Sequence, residues 1–472
     1  MKRLRLVVFL VPFILFSGCG SDSERFSFQN VTVIDVTDGT VKPHMTVTIT
    51  GDSITAVTPD GSEDKTRQGV TFYAAGKFVI PGLFDMHVHF AAEESNLLAF
   101  VANGVTFVRD MGSIVIDPGG PEGFTYRSRE EMLNRILGTR EKIANGILLG
   151  PEIVTPGVIM TGPLPPEAPF ESPEFQWALT EEGETRAAAR YLKNRGVDFL
   201  KVHTMPSREV YFAVADEAEK LGIPFAGHVP ISVSAVEAVL SRQASIEHQT
   251  GVEEYMAAGE TGKADERRAQ LFDFYAENPS AWHCPTLVVS LGFEKARDLI
   301  DHPEREPRLA YICPELVAWW NTYWPPETYT GDDTAKTSTL EDKMAWVGEM
   351  RDRGIGIMAG TDFAALFVYP GFSLHDELVL LNRAGLSPLE TLQTATINPA
   401  RFLGLEKTHG TVEAGKRADL VLLEANPLED IANTTKIAGV VVRGRYLSKA
   451  DISDMLAEIR RDVARTGHRA DQ

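Results

Sequence analysis

One pattern recurs eight times through the centre of the chain. Apolar, strand-like runs occur at "LFDMHVH" (83–89), "VTFVRD" (105–110), "EIVTPGV" (152–158), "DFLKVH" (198–203), "PFAGH" (224–228), "SIEH" (245–248), "WHCPTLVV" (282–289) and "GIGIMAGTD" (354–362), with helical spacing between most of them. "EVYFAVADEAEKLG" sets Val210, Ala213, Val214, Ala218 and Leu221 on one helical stripe and stops at Gly222. "SAVEAVL" opens with a capping box from Ser234 to Glu237, and "SNLLAFVANG" closes on Gly104. Eight strands alternating with helices over about 320 residues predict an α/β fold, a (β/α)8 TIM-like barrel spanning 80–400.

The flanks have a different rhythm. Residues 28–56 alternate in the strand manner, with turn signals at Asp38-Gly39 and Gly51-Asp52; "KRADLVLLEANPL" and "IAGVVVRGRYL" do the same near the other end. Each piece is too small for a stable sheet alone. They are therefore expected to meet, 26–79 with 401–448, as one small β-sandwich domain, followed by a C-terminal helix over 449–472.

In a barrel of this kind the working residues sit at the C-terminal ends of strands. His87 and His89 are two apart on the first strand and so share a face, where two imidazoles can grip one metal ion. A pair of surface histidines would show the same spacing, but Pro81-Gly82, Asp85 and the apolar neighbours argue against a solvated face. His228, His248 and Asp362 end three further strands, so four histidines and one aspartate come to matching positions. Lys201 stands at the same level in an apolar run, where an unpaired ammonium would cost several kcal/mol to bury. Reaction with CO2 would turn it into an anionic carbamate able to bridge two metals, and burial would supply the neutral amine that reaction needs.

This residue set resembles the amidohydrolase superfamily in its binuclear branch, and among its subgroups the imidazolonepropionase-like or prolidase-like one. "PGLFDMHVH" matches the first-strand motif, with Lys201, His228, His248 and Asp362 following in order. "GLSPLETLQTATINPARFLGL" and "GTVEAGKRADLVLLEANPL" look like the family's return into the β-domain, so the resemblance runs from about Phe28 to Tyr446. It implies two divalent metal ions, zinc being the default for imidazole and carboxylate ligands. His87, His89 and Asp362 would hold one, His228 and His248 the other, and carbamylated Lys201 would bridge them. A hydroxide between the metals would be the nucleophile, and Asp362 the general base and then acid. The implied substrate is a small amide or dipeptide, of the Xaa-Pro or N-acyl-amino-acid kind. The chain departs from many relatives after the third strand, where "TGPLPPEAPFESPEF" stands in place of "GGH".

Two other readings stay open: a mononuclear deaminase or cyclic-amide hydrolase of the same superfamily, and a lipid-anchored binding protein without turnover. His203, which points the same way as Lys201, is a candidate for substrate contact or for support of a ligand. Tyr369 and His375 are candidates for the substrate rim. The aromatic "AWWNTYWPPETY", within the 303–339 insertion, fits either a lid over the site or a satellite core.

The first 18 residues read as a secretory signal: basic "MKRLR", then an apolar "LVVFLVPFILF". The following "FSGC" resembles a lipobox with lipid on Cys19, and Gly20 after it suggests the outer membrane; ordinary cleavage nearby is the alternative. The membrane contact expected is through that anchor alone, in the periplasm or at the outer membrane. The formal net charge of −20 becomes −23 once Lys2, Arg3 and Arg5 leave with the signal, which disfavours nucleic acid as a partner. Cys284 and Cys313, alone in so long a mature chain, form no disulfide framework and are expected to stay unpaired.

Overall fold

The computed structural model describes residues 25–62, 69–89, 94–118, 124–164, 176–258, 262–324 and 338–470. The signal segment and Cys19 lie outside the described residues, as do 165–175 of the loop after the third strand and 325–337 of the insertion.

Both flanks enter one eight-stranded sheet. Arg25–Ile34, Val41–Thr50, Ser53–Pro59, Val70–Tyr73 and Phe78–Pro81 come from the start of the chain; Leu420–Leu423, Ile437–Val442 and Arg445–Ser448 come from its end. The two contributions join where Phe78–Pro81 pairs antiparallel with Leu420–Leu423, Val421 opposite Ile80. The expected turns occur, with Gly39 and Gly51 both at positive φ. Phe28, Val33, Val47, Ile54, Leu420 and Val441 supply a core shared by residues of both ends. Removing such side chains from water contributes roughly 1.5–3 kcal/mol each.

The central strands are parallel. Leu83–Val88, Val105–Asp110 and Glu152–Val154 form one sheet; Ile159–Thr161, Leu200–Val202, Phe225–Gly227, Ser245–Glu247 and Trp282–Cys284 lie in order in another, with Gln176–Ala178 at its edge. The run expected as the third strand is a strand only over Glu152–Val154, and a separate strand begins after it at Ile159. Its first part, Glu152–Val154, pairs with Val105–Asp110, while the strand that pairs with Leu200–Val202 is Ile159–Thr161, just beyond the run; between them lie Pro156, which has no N–H, and Gly157, at φ 71°.

The eighth expected strand is reduced to isolated parallel bridges, His283 with Ile357 and Val88 with Phe363. Its amides and carbonyls still connect the two sheets: His283 N–H donates to Gly356 O at 2.9 Å and Met86 N–H to Ala359 O at 3.0 Å. Glycines allow this close approach. A Cβ at Gly360 would lie 2.5 Å from Cys284 Sγ and 2.8 Å from the His87 nitrogen.

The helices begin and end where local chemistry directs. Ser207 caps Arg208–Leu221 and Gly222 ends it in the left-handed conformation, while Val210, Tyr211, Ala213, Val214 and Ala218 are buried beneath it. The Ser234–Glu237 capping box is formed at the head of Ala235–Leu240. The last helix runs Lys449–Ala470, and among the described residues no helix is long and apolar enough to cross a membrane. Cys284 and Cys313 are not joined by a disulfide.

Gly104 lies where the central strands meet the end sheet. It adopts φ 76°, and a Cβ there would meet Val421 Cγ2 at 2.8 Å. Gly104→Ala is expected to destabilise the protein by about 1–3 kcal/mol through strain and overpacking. Urea denaturation followed by circular dichroism checks this, and an unchanged midpoint would show that the junction yields freely.

Candidate active site

Five of the strand-end residues converge. His87 is fully buried on the first strand, His89 lies just beyond it, and their Nε2 atoms come within 3.2 and 3.0 Å of Asp362 Oδ1. The His248 ring stands 4.5 Å from His87 and 4.8 Å from His228, centroid to centroid. Asp362 and His248 both hold φ 59°, a left-handed conformation rare for residues with side chains, which turns each chain segment sharply at its strand end.

A support behind each imidazole takes up Nδ1. The His89 Nδ1 faces Gly112 O at 2.9 Å, and a carbonyl only accepts, so the proton sits on Nδ1 and Nε2 keeps its lone pair. The His248 Nδ1 faces Thr286 Oγ1 at 2.6 Å; that hydroxyl already donates to Pro285 O, so it too accepts from the ring. The His228 Nδ1 lies 2.8 Å from Thr204 Oγ1. The His87 Nδ1 is 2.9 Å from Glu247 Oε2, a carboxylate gripped in turn by Arg109 Nη2 at 2.9 Å to both oxygens. Arg109 also donates to Ser245 Oγ and Met86 O, each at 2.7 Å, and Ser245 Oγ donates to Glu247. Against burial, which raises it, Arg109 and His87 hold the Glu247 carboxyl well below the usual carboxylate range.

Lys201 is completely buried and its Nζ has no hydrogen-bond partner. Burial pulls its ammonium down to about 8, though Glu247 and Asp362 act in the opposite direction. Burial also raises the Asp362 carboxyl, but His248 and His87 outweigh it and hold the group well below its ordinary value.

Among the described residues two groups bring three donor atoms within 4.8 Å of one another: His87, His248 and Asp362, and His87, Glu247 and Cys284. The second is a poor ligand set, because Arg109 and Ser245 already occupy Glu247 and burial pushes the Cys284 thiol well up. The first suits a divalent cation: imidazoles with Nε2 turned inward, a carboxylate, and the orphaned His87 Nε2 and Lys201 Nζ close by.

A cavity of about 410 Å³ opens onto His89, His203, His228, His248 and Asp362, within the usual range for small-molecule sites. His203 stacks on His228 with ring centroids 4.3 Å apart, and burial with the nearby Lys201 charge pulls its imidazole down to about 3. The described part of the insertion contributes both to the cavity wall and to the core. In Pro314–Tyr323 and the residue beyond, Trp319, Tyr323 and Trp324 line the cavity, while Trp320 is buried and donates to Ala364 O at 2.8 Å.

Tyr369 and His375 do not reach the substrate rim. Tyr369 is buried beside Trp320, with the Arg308 guanidinium 4.6 Å above its ring. His375 is buried with both nitrogens engaged inside the fold, Nδ1 by Thr434 Oγ1 at 3.0 Å and Nε2 by Asn103 O at 3.1 Å. Both belong to the packing that seats the Phe372–Arg383 helix. Conversely, the residues supporting the histidines escaped the reading of strand ends. Arg109 and Glu247 carried a usable signal, since each is a charge inside a strand-like run, the same anomaly that singled out Lys201.

The amidohydrolase family model matches residues 78–447. Curated relatives align over short stretches: an imidazolonepropionase of Thermoplasma acidophilum is 40% identical over 80 residues, and a 5-methylthioadenosine/S-adenosylhomocysteine deaminase of Moorella thermoacetica 31% over 139. These stretches cover 17% and 25% of this chain, and only 19% and 32% of the relatives' own lengths. The likeness in structure is far broader. A crystal structure of a Xaa-Pro dipeptidase with methionine in its active site superposes with TM-score 0.65, covering 90% of this chain and all of that one at 20% identity, which establishes a shared fold.

Arg109→Met would leave Glu247 charged and buried without its partner, a loss expected to cost about 3–5 kcal/mol. Adding Glu247→Gln should restore part of it. Denaturant titration of the single and double variants tests this, and equal stabilities for single and double would contradict the coupling.

Proposed function

The chain belongs to the amidohydrolase family, and from that premise we propose that it hydrolyses the C–N bond of a small amide or dipeptide, of the Xaa-Pro or N-acyl-amino-acid kind, with two divalent metal ions. The observation that carries this reading is the convergence of inward Nε2 atoms on Asp362 beside a fully buried Lys201 whose amine has no partner. His87, His89 and Asp362 would hold one ion and His228 and His248 the other, zinc being favoured by that donor set. Bound there, the metals would supply an activated water and polarise the carbonyl under attack.

The protein's own groups supply the rest. With its ammonium lowered to about 8, Lys201 is neutral in roughly a tenth of molecules at pH 7. That amine adds to CO2 to give a carbamate and one proton, and the two carbamate oxygens would then lie between the ligand pairs. Asp362, held as a carboxylate, accepts the proton of the attacking water and passes it to the leaving nitrogen. His203, neutral and stacked on His228, offers a ring nitrogen to the substrate. The Arg109–Glu247 pair fixes the tautomer and tilt of His87 without meeting substrate.

The likeness to a deaminase favours, as a second reading, a mononuclear enzyme in which Lys201 bridges nothing. A non-catalytic binding protein is the third. For the architecture, the hydrogen bonds linking the two parallel sheets support a closed (β/α)8 barrel over 80–400, and the mixed core of the end sheet supports a composite β-sandwich of 26–79 and 401–448. Export under the 1–18 signal and a lipid anchor at Cys19 complete the proposal.

Metal analysis separates the readings. About two ions per chain are expected, with a drop in Lys201→Ala and partial recovery in short carboxylic acids that replace the carbamate. One ion per chain in both proteins would sink the binuclear assignment. On a panel of dipeptides and N-acyl-amino acids, Asp362→Asn should lower turnover by about 10²–10⁴-fold.

A further inference from the structure

Thr286, which stands behind His248, is diverted from another task. It directly precedes the helix Leu287–Asp301, where a threonine hydroxyl ordinarily accepts from the second or third amide of the helix. Here it makes no such bond. Its oxygen lies 2.6 Å from His248 Nδ1, and it donates to Pro285 O at 2.8 Å. The residue placed to cap this helix is thus committed to an imidazole, and the helix is capped from elsewhere.

The substitute cap comes from 89 positions along the chain. Glu377, on the Phe372–Arg383 helix, is completely buried, and its Oε2 accepts from Val288 N–H at 2.8 Å. Val288 is the second residue of the helix, so this N–H is one that a capping side chain takes. The Leu287 amide reaches the same carboxyl. Burial pushes that carboxyl up to about 8, against the pull of both amides, so near pH 7 it serves as an acceptor oxygen more than as a charge. Thr286 meanwhile holds φ 50°, a left-handed conformation unfavourable for a β-branched residue, which persists only while its surroundings fix it. Without Glu377, capping would draw Thr286 towards the extended conformation usual before a helix, and a hydroxyl turned to the helix no longer meets the His248 ring.

We propose that Glu377 is a positioning residue: by capping Leu287–Asp301 in place of Thr286, it reserves the threonine hydroxyl for His248 and so orients the ring that would hold the second metal ion. Its effect on metal binding rests on the two-metal reading; the coupling of Glu377 to His248 rests on the fold alone. Glu377 is not among the described residues lining the cavity, and it acts through Thr286.

Zinc ion is the first probe, titrated into metal-free protein against a competing chelator. Glu377→Met should weaken the second ion by about 10–100-fold, the usual effect of losing a group behind a ligand, and leave the first within about twofold. Glu377→Gln, which keeps an acceptor oxygen, should stay within about threefold of wild type for both ions. Thr286→Val should weaken the second ion as Glu377→Met does, and the double variant should bind it no worse than Thr286→Val alone. Additive losses overturn the proposal, as does a second ion indifferent to Glu377→Met. Nitrogen-15 NMR of metal-free, histidine-labelled protein reads the same coupling with no ion present. The Nδ1–H signal of His248, identified by its absence in His248→Gln, should persist in Glu377→Gln and vanish in Glu377→Met and in Thr286→Val. The His89 Nδ1–H signal, held by Gly112 O, should survive in all three. Should wild type bind fewer than two ions, the two-metal reading fails by itself and the His248 signal decides. Its selective loss in Glu377→Met upholds the role of Glu377; its persistence there, or its absence from wild type, overturns it. If circular dichroism shows Glu377→Met unfolded, Glu377→Asp, one methylene short of the helix, replaces it in both measurements.

Discussion

The two-pronged grip of Arg109 on Glu247 underlies everything around it. Both groups are charged and almost wholly inaccessible, and neither could stay there alone. Together they form a rigid post from which His87 is hung, because the carboxylate accepts a hydrogen bond from His87 Nδ1–H and leaves Nε2 directed at Asp362. The pair also joins strands distant in sequence: Arg109 lies in Val105–Asp110 and Glu247 ends Ser245–Glu247, and Arg109 ties both to Met86 O on Leu83–Val88. The geometry of the site is thus borrowed from an ion pair that is not among the described residues lining the cavity.

The four histidines are supported by unequal groups, namely a carboxylate, a carbonyl and two threonine hydroxyls. A carboxylate behind an imidazole makes it a stronger donor than a hydroxyl does. Of the four, His87, with the carboxylate behind it, is the fully buried one. His89, His228 and His248 face the cavity, together with His203.

The residues legible in the sequence were those whose role follows from period and position. His87, His89, Lys201, His228, His248 and Asp362 each end an apolar run, and the alternation of runs with helices put them at one level. Residues that act from behind were not legible that way. Thr204 and Thr286 look like ordinary loop residues until a ring nitrogen is seen beside them, and Arg109 and Glu247 stand out as charges in strand-like runs without showing what they pair with. Tyr369 and His375 were drawn in by nearness along the chain, yet helix packing points both into the interior. Strand continuity was over-read at "EIVTPGV", where Pro156 and Gly157 divide the pairing, and at "GIGIMAGTD", where glycines trade regular ladder bonds for close contact with His87 and Cys284. Apolar periodicity reports burial well and hydrogen-bond continuity poorly.

The union of both flanks in one sheet has a kinetic consequence. Ile80 pairs with Val421, and closing a loop of that length costs about 5 kcal/mol of chain entropy before the pairing returns anything. The strands before Pro81 therefore exist, during synthesis, with an edge that has no mate until nearly the whole molecule has emerged. Such an edge is an invitation to the wrong neighbour. Folding of this protein is thereby a race between its own last eighth and any other strand that arrives first.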